Sequence, residues 1–259
     1  MHRKDYHMAA AQDMRPKSEE GIWDTVKVII QALLIAFFVR TFLYQPFNIP
    51  SASMYPTLKV GDYLFVSKLS YGYSKYSLPL SPPLFAGRLP SDWLPQRGDV
   101  VVFRLPKDPS TDYIKRVIGL PGDKIQVIDG VVNINGVPLK RERAPDFIET
   151  EEGTRDAPVK RWKETLPNGV TYFALDLVDN GFADNTQVYT VPADHYVMMG
   201  DNRDNSTDSR FSQVGMVPFE NIVGKAQIIF FSVFEGERAW QFWRWPVSVR
   251  WGRLFTIVR

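Results

Sequence analysis

The longest apolar run in the chain is Val28–Val39, 12 residues without a charge. That is too short to cross a bilayer unaided. Extended to Ile22–Tyr44, the segment predicts a helix of roughly 34 Å against about 30 Å of hydrocarbon. Asp24, Lys27 and Arg40 fall near its ends, where the two long cations can reach the interfaces. Trp23 at one end and Phe42 and Tyr44 at the other occupy interfacial aromatic positions, and Pro46 stops the helix. The pattern reads as a membrane span. A cleaved leader would need a small-x-small site close behind the apolar run, and Arg40-Thr41-Phe42-Leu43-Tyr44 stands there instead.

Beyond residue 44 the period changes to short β-like runs: Tyr63–Leu69, Val100–Leu105, Tyr113–Ile118, Lys124–Ile128, Val131–Asn135, Tyr196–Met199 and Gln227–Phe234. Asp129-Gly130 between IQVI and VVNI is a strong hairpin signal, and Asn135-Gly136 opens another turn. Helical periodicity is absent after the anchor. Residues 141–190 carry more charge and fewer apolar runs than their flanks, which predicts an inserted cap. The Pro-, Ser- and Tyr-rich stretch 71–96 predicts an extended loop. Trp240, Phe242, Trp243, Trp245 and Trp251, interleaved with Arg244, Arg250 and Arg253, fit either a membrane interface or the edge of a core.

Composition narrows the chemistry. With 31 Lys+Arg against 29 Asp+Glu the chain carries a formal +2 over 259 residues, which argues against a nucleic-acid partner recruited by bulk charge. The sequence has no cysteine, which excludes disulfides, thiolate metal sites and cysteine nucleophiles. Of the three histidines, His2 and His7 lie in the polar N-terminal segment and His195 at a strand edge. Arg3, Lys4, Arg15, Lys17 and Lys27 precede or open the span, a bias that favours a cytoplasmic N-terminus and an exported body.

Three segments can carry chemistry. Pro50-Ser51-Ala52-Ser53-Met54-Tyr55-Pro56 sets hydroxyls in a loop stiffened by prolines, yet Ser and Pro are also ordinary loop residues. A serine needs a base, and histidine is scarce. Asp112-Tyr113-Ile114-Lys115-Arg116-Val117-Ile118 offers a lysine instead. In a strand Lys115 shares a face with Tyr113 and Val117, and Arg116 with Ile114 and Ile118, so one cation points into apolar company. A lysine desolvated there can lose its proton near neutral pH, although one snorkelling from a sheet edge would not. Gly200 through Arg210 is polar at every position but the glycine. It does not match a calcium loop, because Arg203 stands where an oxygen ligand belongs and Ser212 replaces the bidentate glutamate. Nothing in the sequence points to a cofactor or a metal.

In this order behind an anchor, Pro50–Leu58, Arg97–Phe103, Asp112–Arg116 with Gly119–Asp123, and Gly200–Arg210 resemble the bacterial type I signal peptidases, with weaker similarity between them over residues 45–234. The resemblance implies a mostly β catalytic domain of coiled antiparallel sheets with an inserted β-ribbon cap near 141–190. Behind a segment 1–21 and a transmembrane helix 22–44, the peptidase domain would be 45–259. It implies Ser53 as nucleophile and Lys115 as general base, with the oxyanion held by the Ser53 N–H and the Ser51 hydroxyl. Ser206 would orient the amine, and Asp208 would pair with Arg210 and Asp201 with Arg116. Phe47, Ile49, Pro50, Met54, Tyr113, Ile114 and Met198 would line pockets for small side chains. The expected partners are signal-peptide-bearing preproteins and the lipid bilayer, with the body on the outer side of the inner membrane and no cofactor. Two rivals stand beside this reading: a Ser-Lys peptidase dedicated to one pilin-like or transfer-system substrate, and a tethered β-domain that binds peptides without cleaving them.

Overall fold

A computed structural model describes residues 18–82, 84–90, 92–151, 154–155 and 157–259. The expectations for residues 1–17, among them His2, His7, Arg3, Lys4, Arg15 and Lys17, lie outside it. An N-terminal helix forms one compact unit and Val39–Arg259 a second.

Helix α1, Ser18–Phe38, leads into a π-helical turn at Val39–Leu43, and Gly21–Leu43 is long and apolar enough to cross a membrane. Ile22, Trp23, Leu33, Leu34, Ile35 and Phe37 are all exposed. The expected helix end at Tyr44 is corrected. Tyr44–Asn48 is a strand, β1, paired antiparallel with β2, Asp62–Ser67, in the register Pro46↔Phe65. Pro46 is tolerated because β1 is the sheet's edge, where a missing N–H breaks no ladder.

The remaining strands of this eight-stranded sheet are β3 (Val100–Leu105), β4 (Asp108–Gly119), β5 (His195–Met199), β6 (Val217–Pro218), β7 (Ile222–Ser232) and β8 (Thr256–Ile257). Their order is β1-β2-β7-β3-β4-β5-β6, with β8 also on β7. Period-two alternation makes the sheet two-sided. Val100 and Val102 of β3 join Met54, Leu58 and Leu64 in one core, while Val101 and Phe103 join Val117, Tyr196 and Met198 in another. The fold is mostly β, as the pattern of short runs predicts.

Asp129-Gly130 turns the hairpin Lys124–Ile128 against Val131–Ile134, and both turn residues have positive φ. The charged segment forms an antiparallel ribbon of Lys140–Phe147, Val159–Thr165 and Thr171–Asp176. It is not a detached cap: Leu166, Tyr172 and Ala174 pack with Ile118, Ile125 and Met199, and the ribbon belongs to the same compact unit. Within 71–96, Tyr73–Ser74 pairs with Arg88–Leu89, and Tyr71 and Arg88 are buried.

Candidate active site

The loop after β1 makes a 3-10 turn at Ala52–Met54 between Pro50 and Pro56. Met54 and Leu58 are fully buried and anchor it in the core below. Ser53, on the turn, is itself 7% exposed. Its Oγ lies 3.4 Å from the Ser51 Oγ.

β4 brings Lys115 to this turn. Its Nζ lies 2.6 Å from the Ser53 Oγ and 3.0 Å from the Ile114 carbonyl oxygen, with 4% of the residue exposed. Burial pulls the amine down from its ordinary 10.5 to about 8, against an opposing pull from the Asp208 and Asp201 carboxylates. About a tenth of the amine is then neutral at pH 7, and half of it near pH 8. The face of the strand is the expected one: Tyr113 and Val117 pack in the core of Val101 and Phe103, and Ile114 packs on the other side with Val100 and Val102.

Arg116, fully buried, donates Nε to Asp201 Oδ1 at 2.8 Å and Nη2 to Asp201 Oδ2 at 2.6 Å. Thr57 Oγ1 donates to the same carboxylate at 2.5 Å. Arg210 meets Asp208 through Nε at 2.9 Å and Nη2 at 2.9 Å, and the Gly200 N–H donates to Asp208 at 3.0 Å. Desolvation would raise the buried Asp208 carboxyl, but Arg210, the Gly200 N–H and the Ser206 hydroxyl together hold it below its usual range. Gly200 leaves no room for a side chain: a Cβ there would stand 2.3 Å from the Ser206 Oγ and 2.5 Å from the Ser53 carbonyl oxygen. Ser206 differs from expectation. Its hydroxyl donates to Asp208 at 2.8 Å, and the amine's second partner is a main-chain carbonyl.

A cleft of about 520 Å³ opens over the pair, lined by Pro50, Ser51, Ser53, Tyr113, Ile114, Lys115 and Ser206. Of the expected pocket residues, Phe47, Ile49, Met54 and Met198 are not in its wall. Ile49, Met54 and Met198 are buried core, and Phe47 packs against that core, because the apolar side chains around the Ser53 turn serve first to anchor it. Thr111, Asp112, Asp204, Asn205, Thr207 and Phe211 do line the cleft. Their signal was adjacency to Tyr113 and to the polar loop. Two larger clefts, of about 760 and 890 Å³, involve none of these side chains. His195 Nδ1 faces the Ala193 carbonyl oxygen at 2.8 Å, away from the cleft. Among the described residues no group of three His, Asp or Glu converges to hold a metal ion.

The model of the family described as "Signal peptidase, peptidase S26" matches residues 22–231. The chain belongs to this family of signal peptidases. Signal peptidase I of Rickettsia conorii is 46% identical over 224 residues, covering 83% of this chain and 81% of that one. Signal peptidase I of Rickettsia typhi is 48% identical over 208 residues, covering 77% and 76%. A crystal structure of a signal peptidase I from Enterococcus faecalis aligns at 26% identity over 51% of this chain and 96% of that one, with a TM-score of 0.30. The span matched to the signal peptidase family contains the apolar helix, Ser53, Lys115 and the polar loop, and stops short of Trp240–Trp251.

Proposed function

We propose that this signal peptidase removes the signal peptides of exported preproteins by a Ser-Lys mechanism, cleaving after small residues at A-x-A-like sites. The observation that carries the reading is the 2.6 Å contact between a buried lysine amine, whose hold on its proton is weakened by that burial, and a serine hydroxyl at the floor of a cleft.

The Ser53 O–H donates to the neutral Lys115 amine and the oxygen attacks the scissile carbonyl carbon, so the proton passes to Nζ as the C–O bond forms. The tetrahedral oxyanion meets the Ser51 hydroxyl and the Ser53 N–H. Collapse expels the mature protein's amine, which takes the proton from Nζ and leaves the signal peptide esterified to Ser53. The amine then deprotonates a water that cleaves the ester, releasing the carboxylate and restoring the serine. The Arg116–Asp201 and Arg210–Asp208 pairs neutralise the nearby cations, which keeps positive charge from accumulating against the protonated state of the base.

In this reading the helical span up to Leu43 anchors the enzyme in the bacterial inner membrane, the residues before it stay in the cytoplasm and the domain that opens with β1 works outside it. The basic residues before the span support that orientation. Ser53 follows Tyr44 by nine residues, which keeps the chemistry near the bilayer, where signal peptides end. The test is cleavage of a purified preprotein carrying A-x-A before its mature start, in detergent, by wild type, Ser53→Ala and Lys115→Ala. Cleavage at that bond by wild type alone is expected; equal activity in all three would overturn the dyad.

A further inference from the structure

The ribbon strand Val159–Thr165 places Glu164 at zero exposure, and its carboxylate clasps Arg203 of the polar loop. Arg203 Nη1 donates to Glu164 Oε1 at 3.1 Å and Nη2 to Oε2 at 2.5 Å. The Tyr172 hydroxyl donates to Oε2 at 2.7 Å, and Arg141 Nε lies 3.2 Å from Oε1. Burial alone would raise this carboxyl; the Arg203 and Arg141 guanidiniums more than offset it and hold it ionised. Neither Glu164 nor Arg203 lines the cleft.

Both nevertheless connect to the nucleophile. The Arg203 N–H donates to the Leu175 carbonyl at 3.0 Å and the Leu175 N–H to the Asp201 carbonyl at 2.8 Å, so the ribbon grips the loop on either side of Asn202. Asn202 in turn donates its main-chain N–H to the Ser53 carbonyl at 3.1 Å and its Nδ2 to the Ala52 carbonyl at 3.1 Å. A second route runs through Tyr172, whose ring lies 4.3 Å from the guanidinium carbon of Arg116, the partner of Asp201. Stability alone does not account for such a pair, since well-packed apolar replacements of a buried ion pair are often neutral or stabilising. What the fork-to-fork geometry adds is a fixed position for the loop.

We propose that Glu164 is a positioning residue for peptide-bond hydrolysis: by holding Arg203 it fixes Asn202, and through Asn202 the main chain of the turn that carries Ser53. The inference rests on the reading of Ser53 as nucleophile.

The test separates kcat from KM for preprotein cleavage by the full chain in detergent. Glu164→Gln leaves Arg203 without a carboxylate and lowers kcat about ten- to a hundred-fold, with KM within about two-fold, because a misaimed nucleophile costs chemistry more than binding. Glu164→Asp, which restores the charge one methylene short, falls between Gln and wild type. The double variant Glu164→Gln with Arg203→Met removes both charges of the pair, keeps an acceptor for the Tyr172 hydroxyl and leaves Asp176 to Arg141; it folds, yet its kcat is as low as that of the single variant. Glu142→Gln, on the neighbouring exposed strand position, leaves kcat unchanged. A folded double variant with wild-type kcat would overturn the proposal and leave the pair a packing element. Ser53→Ala, run alongside, keeps the two readings apart: residual cleavage by it removes the nucleophile assignment, whereas its silence beside a fully active double variant removes only the role of Glu164.

Discussion

Lys115 and Ser53 stand 62 positions apart in the chain and meet at 2.6 Å, with the lysine side chain held in a nearly closed site that supplies it no carboxylate partner of its own. Its direct hydrogen-bond partners are the Ser53 hydroxyl and the Ile114 carbonyl oxygen. An ammonium in such a place works against the fold. Displacement from 10.5 to about 8 corresponds to about 3 kcal/mol lost by the charged form at pH 7.

Lys115→Met therefore abolishes cleavage while the protein melts at or above the wild-type temperature at pH 7. The sign follows from proton binding. The unfolded lysine holds its proton up to about 10.4 and the folded one only to about 8, so the penalty is fully present below pH 8 and disappears as pH rises between the two. Calorimetry at pH 7 and at pH 9.5 checks it: the advantage of the Met variant shrinks at the higher pH. A markedly lower melting temperature for Met at pH 7 would show that the amine holds the site together.

Activity follows the same proton in the opposite sense to an acid catalyst. In the proposed mechanism the neutral amine is the base, so kcat/KM rises with pH through about 8 and is about ten-fold below its plateau at pH 7. The limb is read from initial rates of preprotein cleavage across pH 6 to 9.5. A profile flat over that range would remove Lys115 as the titrating base.

The Ser51 hydroxyl lies 3.4 Å from the Ser53 Oγ and in the cleft wall, on a residue in extended conformation with no capping role in the turn. In the proposed mechanism Ser51→Ala removes a donor to the developing oxyanion and little else. It lowers kcat by roughly 10²–10³ and leaves the melting temperature within about 2 °C. Equal kcat in the two proteins would place the oxyanion elsewhere.

Much of this was legible because local rules carried it. Val100–Leu105 and Lys124–Ile128 form with the predicted bounds, since their apolar runs end in turn residues. Gln227–Phe234 was displaced: the strand is Ile222–Ser232, because Gly224 and Lys225 interrupt the apolar pattern where the backbone still pairs with Val101 and Val102. Tyr44 continues the helix's apolar aromatic pattern up to the stop at Pro46, and only the pairing of Tyr44–Asn48 with Asp62–Ser67, a non-local event, puts it in a strand. The same limit hid Glu164. It sits in a segment dense in charge, whose composition predicts an inserted cap but no particular pairing, and its partner Arg203 lies 39 positions away. The direction of the Ser206 hydroxyl was likewise set by Asp208 and its backbone turn, which no spacing rule shows.

The C-terminal aromatics admit the last prediction. Trp240, Phe242, Trp243 and Trp251 each expose more than half of their surface, whereas Trp245 packs against Phe231 with ring centres 5.0 Å apart and donates its indole N–H to the Ala239 carbonyl at 2.8 Å. The two readings of this cluster thus divide between residues, with Trp245 serving the fold and the others free to enter an interface. In a form lacking residues 1–38, Trp243→Ser with Trp251→Ser lowers partitioning onto phospholipid vesicles about ten-fold or more without a change in melting temperature, because each indole contributes apolar area that a serine does not. Adding Trp245→Ser lowers the melting temperature as well. Sedimentation with vesicles measures the first effect and calorimetry the second; unchanged partitioning of the double variant would show that these indoles do not hold the domain on lipid.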